Sequence, residues 1–160
     1  ALTQLSSDYL ARQLTHFVNG VRGADPKDQA GHRMALSVAL LAPSDIPALA
    51  AFISTDLPPA RPEATLKGEA TRGKDYYTHL CSACHGGNAL GNQILGAPSL
   101  AGASDWYLKS AYQGFLDGLR GQHADDVYGA QMARLAPALS DEDDLDDVIA
   151  HIMTLPPKRS

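Results

Sequence analysis

The stretch Cys81-Ser82-Ala83-Cys84-His85 decides what this 160-residue chain can fold around. It contains both cysteines of the chain, so no thiol remains for a disulfide framework or a second metal cluster. The spacing suits thioether bonds from Cys81 and Cys84 to the two vinyl groups of one haem, while His85 can turn its imidazole onto the iron. The stretch therefore predicts one covalently attached haem c, with His85 as an iron ligand.

Three other interpretations of these five residues compete with haem attachment. A thioredoxin-like redox pair needs a βαβ setting, and the chain has no runs of alternating β-branched residues. Half of a zinc site needs further thiols or an organised pair of histidines. An incidental match leaves the downstream motifs described below unexplained.

Composition and charge narrow the class of protein. The chain is 44% hydrophobic and 19% charged with a formal net charge of −5, which is typical of a globular protein and argues against a nucleic-acid binder. The longest apolar stretch, residues 35–42, is far shorter than the ~20 residues that span a bilayer, so we expect no transmembrane segment. No basic and apolar leader is visible, so an exported protein would be in its processed form, with the signal peptide removed.

The chain carries an internal repeat. A shift of 98 positions superposes Tyr9-Leu10 on Tyr107-Leu108, Arg22-Gly23 on Arg120-Gly121, and Met34-Ala35 on Met132-Ala133. The proline-rich stretch 56–63 is the best linker, because proline lacks an amide donor and disfavours helix before it. We therefore predict two units: residues 1–60, a partial helical unit without a haem motif, and residues 61–160, which carry the motif.

The periodicity predicts an all-α fold. Apolar residues recur on one helical face over residues 9–21 and 107–119, and glycines at 20, 23, 118 and 121 predict left-handed caps at the helix ends. Further helices are predicted after Ser44, over residues 70–80, and from near Ser140 to the Pro156-Pro157 stop. The acidic residues over 141–147 are interpreted as the solvated start of this last helix in preference to a docking patch.

Met132 is the first choice for the ligand on the opposite face of the iron. Its thioether is soft, does not titrate, and raises the reduction potential relative to a second histidine. Its place in the repeat and its distance from His85 favour this role over that of a core gap-filler. His123 is the second candidate, although Asp125-Asp126 indicate an exposed loop there, and Met153 is the third.

Pro98 is the candidate partner of the second ring nitrogen of His85. Metal-bound histidines usually donate this N–H to a carbonyl, which fixes the tautomer and tunes the basicity of the ligand. An ordinary loop proline is an equally good interpretation from the sequence alone.

The order of motifs along the chain resembles that of a known family. After the haem motif come Gly86-Gly87, Gly91-Asn92, Pro98-Ser99-Leu100-Ala101-Gly102, Tyr107-Leu108, Gly118-Leu119-Arg120, Met132 and Leu139-Ser140-Asp141-Glu142-Asp143. Residues 66–157 therefore resemble one domain of the two-domain, di-haem class I bacterial cytochromes c. The cytochrome subunit of flavocytochrome c sulfide dehydrogenase belongs to the same broad group.

The resemblance implies a class I cytochrome c fold, axial ligation by His85 and Met132, and a hydrogen bond from His85 to the Pro98 carbonyl. It implies that the Gly73-x-x-x-Tyr77 face packs across the last helix. It also implies electron transfer in the periplasm.

The first copy departs from this family pattern. Subtracting 98 from 81 and 85 places its haem motif at −17 to −13, before the chain begins, so residues 1–60 resemble only the distal half of a cytochrome domain. Either this half has lost its haem or the sequence lacks its true N-terminus. Met34 is a buried apolar residue in the first case and a ligand to a missing haem in the second.

These features predict a periplasmic electron carrier, or the electron-accepting subunit of a redox enzyme such as a dehydrogenase, with redox proteins as donor and acceptor. The alternative is a peroxidase-like haem enzyme, which needs a displaceable sixth ligand and a distal acid or base, with His123 as the candidate. A structural role for residues 1–60 in anchoring an enzyme partner is compatible with the first interpretation.

Overall fold

The protein is helical, as the periodicity predicts. The computed structural model describes residues 2–55 and 62–157, and within these ranges there is no β-strand beyond one isolated bridge between Asn92 and Ala97. None of the described helices is long and apolar enough to cross a bilayer. The α-helices are α1 (Ser7–Val18), α2 (Gln29–Ser37), α3 (Ile46–Thr55), α4 (Ala70–Tyr76), α5 (Ser82–His85), α6 (Asp105–Leu116), α7 (Val127–Leu135) and α8 (Glu142–Thr154).

The internal repeat is visible in the bounds of the helices. α1 and α6 begin and end 98 positions apart, and so do α2 and α7. The four glycines predicted as left-handed caps all have positive φ, including 70° at both Gly20 and Gly118. In each copy an arginine stacks on a phenylalanine, with Arg22 4.6 Å from the Phe17 ring centroid and Arg120 4.3 Å from that of Phe115. The predicted linker falls mostly on residues outside the described ranges, and the division at residue 60 stays a prediction.

Each copy has its own apolar core. In the first copy Leu14, Phe17, Val38 and Ile46 form a buried cluster, and the partly buried Met34 packs against it. The second copy has a larger core, whose fully or nearly buried members include Tyr77, Leu108, Leu139, Leu145, Val148, Ile149 and Ile152. Amphipathic helices of this length gain most of their stability from such burial.

Helices α4 and α8 cross at close range, as the resemblance implies. A Cβ placed on Gly73 would lie 1.9 Å from the backbone oxygen of Asp147, so only glycine allows this approach. One turn later the Tyr77 ring lies 5.4 Å from the His151 ring, centroid to centroid. The crossing holds the segment just before the cysteines against the last helix.

A π-helical turn, Tyr77–Cys81, interrupts the helix predicted over residues 70–80. A π turn adds one residue to a helical turn and is common at functional sites. Here the Tyr77 side chain is 1% exposed, and its hydroxyl donates to the Gly86 carbonyl at 2.6 Å. This contact joins residues on either side of the cysteine motif. The periodicity of residues 70–80 therefore could not predict the π turn.

The acidic residues 141–147 belong to the last helix, which begins close to Ser140, as predicted. The N-cap is Asp141, and its carboxylate accepts from the amides of Asp143 and Asp144. Farther along, Asp147 is 2% exposed and accepts from the Glu69 amide at 2.6 Å. An aspartate carboxylate at an N-cap satisfies several orphan amides at once.

Asp105 fastens the segment before α4 to the start of α6. This carboxylate is 1% exposed and accepts from the Thr65 hydroxyl at 3.0 Å and the Leu66 amide at 2.7 Å. Burial alone raises its pKa, but the hydrogen bonds from Leu66, Thr65 and Trp106 outweigh burial and lower the pKa below its usual value. Asp105 is therefore a charged structural anchor.

Candidate haem site

One cavity brings together the residues that the sequence singles out. It has a volume of about 350 Å³ and a mainly apolar wall. The predicted site residues on its wall are Cys81, Cys84, His85, Pro98 and Met132. They come from the π turn, α5, the following loop and α7, so the fold joins segments that are far apart in sequence.

His85 ends α5 and is 9% exposed. Its Nδ1 lies 2.9 Å from the carbonyl oxygen of Pro98. Burial lowers the pKa of His85, and the hydrogen bond to Pro98 offsets this only in part, so the imidazole is neutral near pH 7. With Nδ1–H donating to the carbonyl, Nε2 keeps its lone pair for a metal.

The two cysteines are free, partly buried thiols on the cavity wall. Burial, with a smaller contribution from Cys84, raises the pKa of Cys81 to about 11. The Cys81 thiol is therefore protonated at neutral pH. Covalent attachment to a group inside the cavity would remove this ionisation altogether.

Met132 lies on α7 and lines the cavity. The two other candidates for the sixth position, His123 and Met153, are not among the described residues that line it. His123 is exposed, and its Nδ1 accepts a hydrogen bond from the Asp125 amide at 3.2 Å. Of the three candidates, Met132 alone is therefore placed to reach a group in the cavity.

The end of α7 is held by a tyrosine from α6. The Tyr112 hydroxyl donates to the Ala136 carbonyl at 2.7 Å. Burial, followed by the nearby Cys81, raises the pKa of Tyr112 to about 12, so the hydroxyl remains a donor at any physiological pH. This bond fixes the helix end that follows Met132.

The donor set fits a tethered haem. Two thiols, a buried imidazole and a thioether border an apolar space, and these are the groups that c-type haem attachment and axial ligation require. No group of three or more histidine, cysteine, aspartate or glutamate side chains is gathered as a metal site among the described residues. The cavity wall therefore carries the side chains that haem attachment and axial ligation require.

The first copy supplies part of the cavity wall, which the sequence did not predict. Its contributing residues are Leu2, Gln4, Leu5, Tyr9, Arg12 and Gln13. Gln4 is 3% exposed, and the Arg12 guanidinium donates to the Gly96 carbonyl at 2.6 Å. The one available signal was a break in the repeat, because the position equivalent to Arg12 in the second copy is Ser110.

His16 of the first copy also reaches the second. It is 8% exposed, and its Nδ1 lies 3.8 Å from the Asp126 carboxylate, which caps α7 by accepting from the Gly129 amide at 2.9 Å. Burial lowers the pKa of His16, while Asp126 acts in the opposite direction. His16 therefore lies in the contact between the two copies.

Comparisons with known proteins agree with this geometry. The sequence profile of the family described as "Cytochrome c" matches residues 70–156. Cytochrome c-554(547) of Halothiobacillus neapolitanus is 35% identical over 92 residues, which make up 55% of this chain and 98% of that protein. This chain belongs to the cytochrome c family. Membership implies a covalently bound haem c and electron transfer with other redox proteins.

One further sequence relative and one solved structure are also similar to this cytochrome. The cbb3-type cytochrome c oxidase subunit FixP of Sinorhizobium medicae is 33% identical over 86 residues, which cover 53% of this chain but only 28% of FixP. The solved structure of Acidithiobacillus ferrooxidans cytochrome c4 superposes with a TM-score of 0.76 at 23% identity, covering 97% of this cytochrome and 87% of that chain. The second likeness extends the class I cytochrome fold over both copies.

Proposed function

We propose that this cytochrome is a periplasmic electron carrier, or the electron-accepting subunit of a redox enzyme, and that it holds one haem c through Cys81 and Cys84. The observation that carries the proposal is the single cavity wall shared by these thiols, His85 and Met132. The periplasm is proposed because covalent haem is normally attached after export.

In this proposal His85 and Met132 are the two axial ligands. When bound, the haem supplies a one-electron couple, and histidine–methionine ligation sets its potential high within the range of c-type haems. The chain's own contribution is to keep both ligands still. The Pro98 carbonyl orients the His85 ring at 2.9 Å, and the bond from Tyr112 to Ala136 anchors the end of α7.

We further propose that residues 1–60 form a partial cytochrome-like unit and residues 61–160 the mono-haem unit. The equal bounds of α1 and α6, and of α2 and α7, support a shared origin of the two. Met34 packs against the first-copy core and does not line the cavity of the second copy. Its proposed role here is therefore structural.

The partners in this proposal are a redox protein that donates electrons and one that accepts them. A dehydrogenase subunit is one such donor, in keeping with the resemblance of the motifs to di-haem cytochrome subunits. A peroxidase-like activity receives less support, because His123, its candidate distal acid or base, is exposed and does not line the cavity.

The proposed function is tested by intact-mass measurement and spectroscopy of the purified protein. We expect a mass that exceeds the polypeptide by one haem, and a low-spin spectrum with a methionine-to-iron charge-transfer band. A colourless protein, or a haem that acidic organic solvent extracts, would rule out covalent attachment. A clearly negative reduction potential, of the kind that two histidine ligands produce, would rule out Met132 as the ligand.

A further inference from the structure

Arg12 contacts both of the segments that carry or orient the proposed axial ligands. Its guanidinium donates to the carbonyl of Gly96, two residues before Pro98, with Nη2 and the oxygen 2.6 Å apart. The same guanidinium lies 4.5 Å from the centroid of the Tyr128 ring, one helical turn before Met132 on α7.

We propose that Arg12 is a positioning residue: it ties the loop that orients His85 to the helix that carries Met132. This inference rests on the proposed His85–Met132 ligation. It gives the first copy a role in positioning the proposed ligands of the second copy, in addition to packing against that copy.

The contact between the two tied segments is itself close. Gly96 has φ of +64°, and a Cβ placed on it would lie 2.4 Å from Cδ1 of the Tyr128 ring. The loop backbone therefore lies directly on the ring. Arg12 covers the ring and bonds the adjacent carbonyl, so the three groups form one cluster, which we call the Arg12 latch: Arg12, Gly96 and Tyr128.

The latch acts on both ligands because its members are near neighbours of them in the chain. Residues 128 and 132 are one turn apart on the same face of α7, where side chains four positions apart are neighbours, so we expect a shift of the Tyr128 ring to displace the Met132 side chain. Gly96 ends the turn over residues 93–96, and Pro98 follows it by two residues. The Pro98 carbonyl is the acceptor for His85.

Arg12 is itself held by the first copy. It lies on α1, where the Tyr9 ring, three residues earlier, has its centroid 5.3 Å from the guanidinium carbon. A second contact between α1 and the loop joins the Asp8 carboxylate to the Gln93 side-chain amide. An arginine already ordered by its own helix loses less side-chain entropy when it makes the bridging contacts.

Loss of the Arg12 contacts should raise the population of molecules in which Met132 is away from its proposed ligand position. We call this the open form. An external ligand that binds only the open form has an apparent dissociation constant inversely proportional to the open fraction. Imidazole, added to the oxidised holoprotein, is such a probe, because it competes with the methionine for the iron.

The test is an imidazole titration of oxidised Arg12→Gln protein, followed at the methionine-to-iron charge-transfer band. Losing a charged hydrogen bond and a ring contact should increase the open fraction by roughly tenfold, so imidazole should bind about tenfold more tightly than to the wild type. Arg12→Lys keeps the charge but loses the planar stacking, and an intermediate effect is expected.

Matched variants separate the latch from general loosening. Arg33→Gln removes an exposed arginine from α2 and should not change the imidazole affinity. Tyr128→Phe keeps the ring and should behave as wild type. Tyr128→Leu removes only the ring contact and should reproduce part of the effect of Arg12→Gln. The double variant should show less than the sum of the two single effects, because both changes remove that same ring contact.

Several results would overturn the inference. Unchanged imidazole affinity in Arg12→Gln would do so, as would full additivity with Tyr128→Leu. If Arg12→Gln fails to fold, the imidazole affinity of Tyr128→Leu is the test. An affinity equal to that of the wild type would also overturn the inference. A wild type without the methionine-to-iron band would instead overturn the proposed ligation, which distinguishes the two failures.

Discussion

At the scale of single residues, the site depends on keeping an imidazole neutral and correctly oriented. Burial lowers the pKa of His85, and the Pro98 carbonyl accepts a hydrogen bond from Nδ1–H, which leaves Nε2 as the nitrogen with a free lone pair. The thioether of Met132 needs no such control, because it has no proton to lose. The two proposed ligands therefore depend on their surroundings in different ways: His85 for its protonation state and Met132 for its position.

The Met132 assignment predicts the outcome of one substitution. Met132→Leu keeps the apolar volume but removes the sulfur, so the methionine-to-iron band should disappear. The reduction potential should fall by a sizeable part of the roughly 0.8 V span that axial ligands set in haem proteins. Absorption spectra and a redox titration measure both. Met153→Leu is the matched control, because Met153 is also partly buried yet does not line the cavity, and it should leave both readings unchanged.

At the scale of helices, the haem-bearing segment is positioned by the crossing of α4 and α8. Gly68 and Gly73 both lie so close to the backbone of α8 that a Cβ would overlap it. The buried carboxylate of Asp147 then receives the Glu69 amide and the Arg72 side chain on the same side. The crossing therefore combines backbone contact with a charged hydrogen bond, and the π turn follows directly after α4.

The crossing predicts that alanine at position 73 destabilises the protein. In an exposed helix Gly→Ala stabilises by about 1 kcal/mol, but here the new methyl group would lie 1.9 Å from the Asp147 oxygen and force the helices apart. Gly73→Ala should lower the free energy of unfolding by about 1–3 kcal/mol, measured by denaturant titration of the holoprotein. Gly87→Ala is the control, since its Cβ would have no neighbour within 4 Å, and a similar loss there would contradict the argument.

At the scale of the whole molecule, the two copies are joined by polar contacts around the cavity. His16 faces Asp126, Asp8 bonds Gln93, and Arg12 bonds Gly96. Several of the groups involved are buried, so their protonation states affect how well the copies fit together. His16 is the one among them whose ordinary pKa lies near physiological pH.

His16 makes the stability of the molecule depend on pH in a stated direction. Its folded pKa lies below the usual value of 6.5, so the unfolded chain binds the proton more readily. The contribution of neutral His16 is fully present above pH 6.5 and is lost as pH falls below it towards the folded pKa. Denaturant titrations at pH 8 and pH 5 should show a smaller loss of stability in His16→Gln than in wild type. Equal losses in the two proteins would show that His16 does not titrate between these states.

The sequence by itself determined the haem motif, the all-α class, the 98-residue repeat and the approximate positions of five helices, but it did not predict α2, α5 or α7. The haem motif and the helices depend on residue types at short, regular spacings, which local physical chemistry controls, and the repeat is read from the sequence by self-comparison. Tertiary structure alone decided the π turn and the presence of first-copy residues in the cavity wall. The bond from Arg12 to Gly96 spans 84 positions, and no local pattern encodes such a contact. It arises only when packing of the apolar cores brings the two copies together.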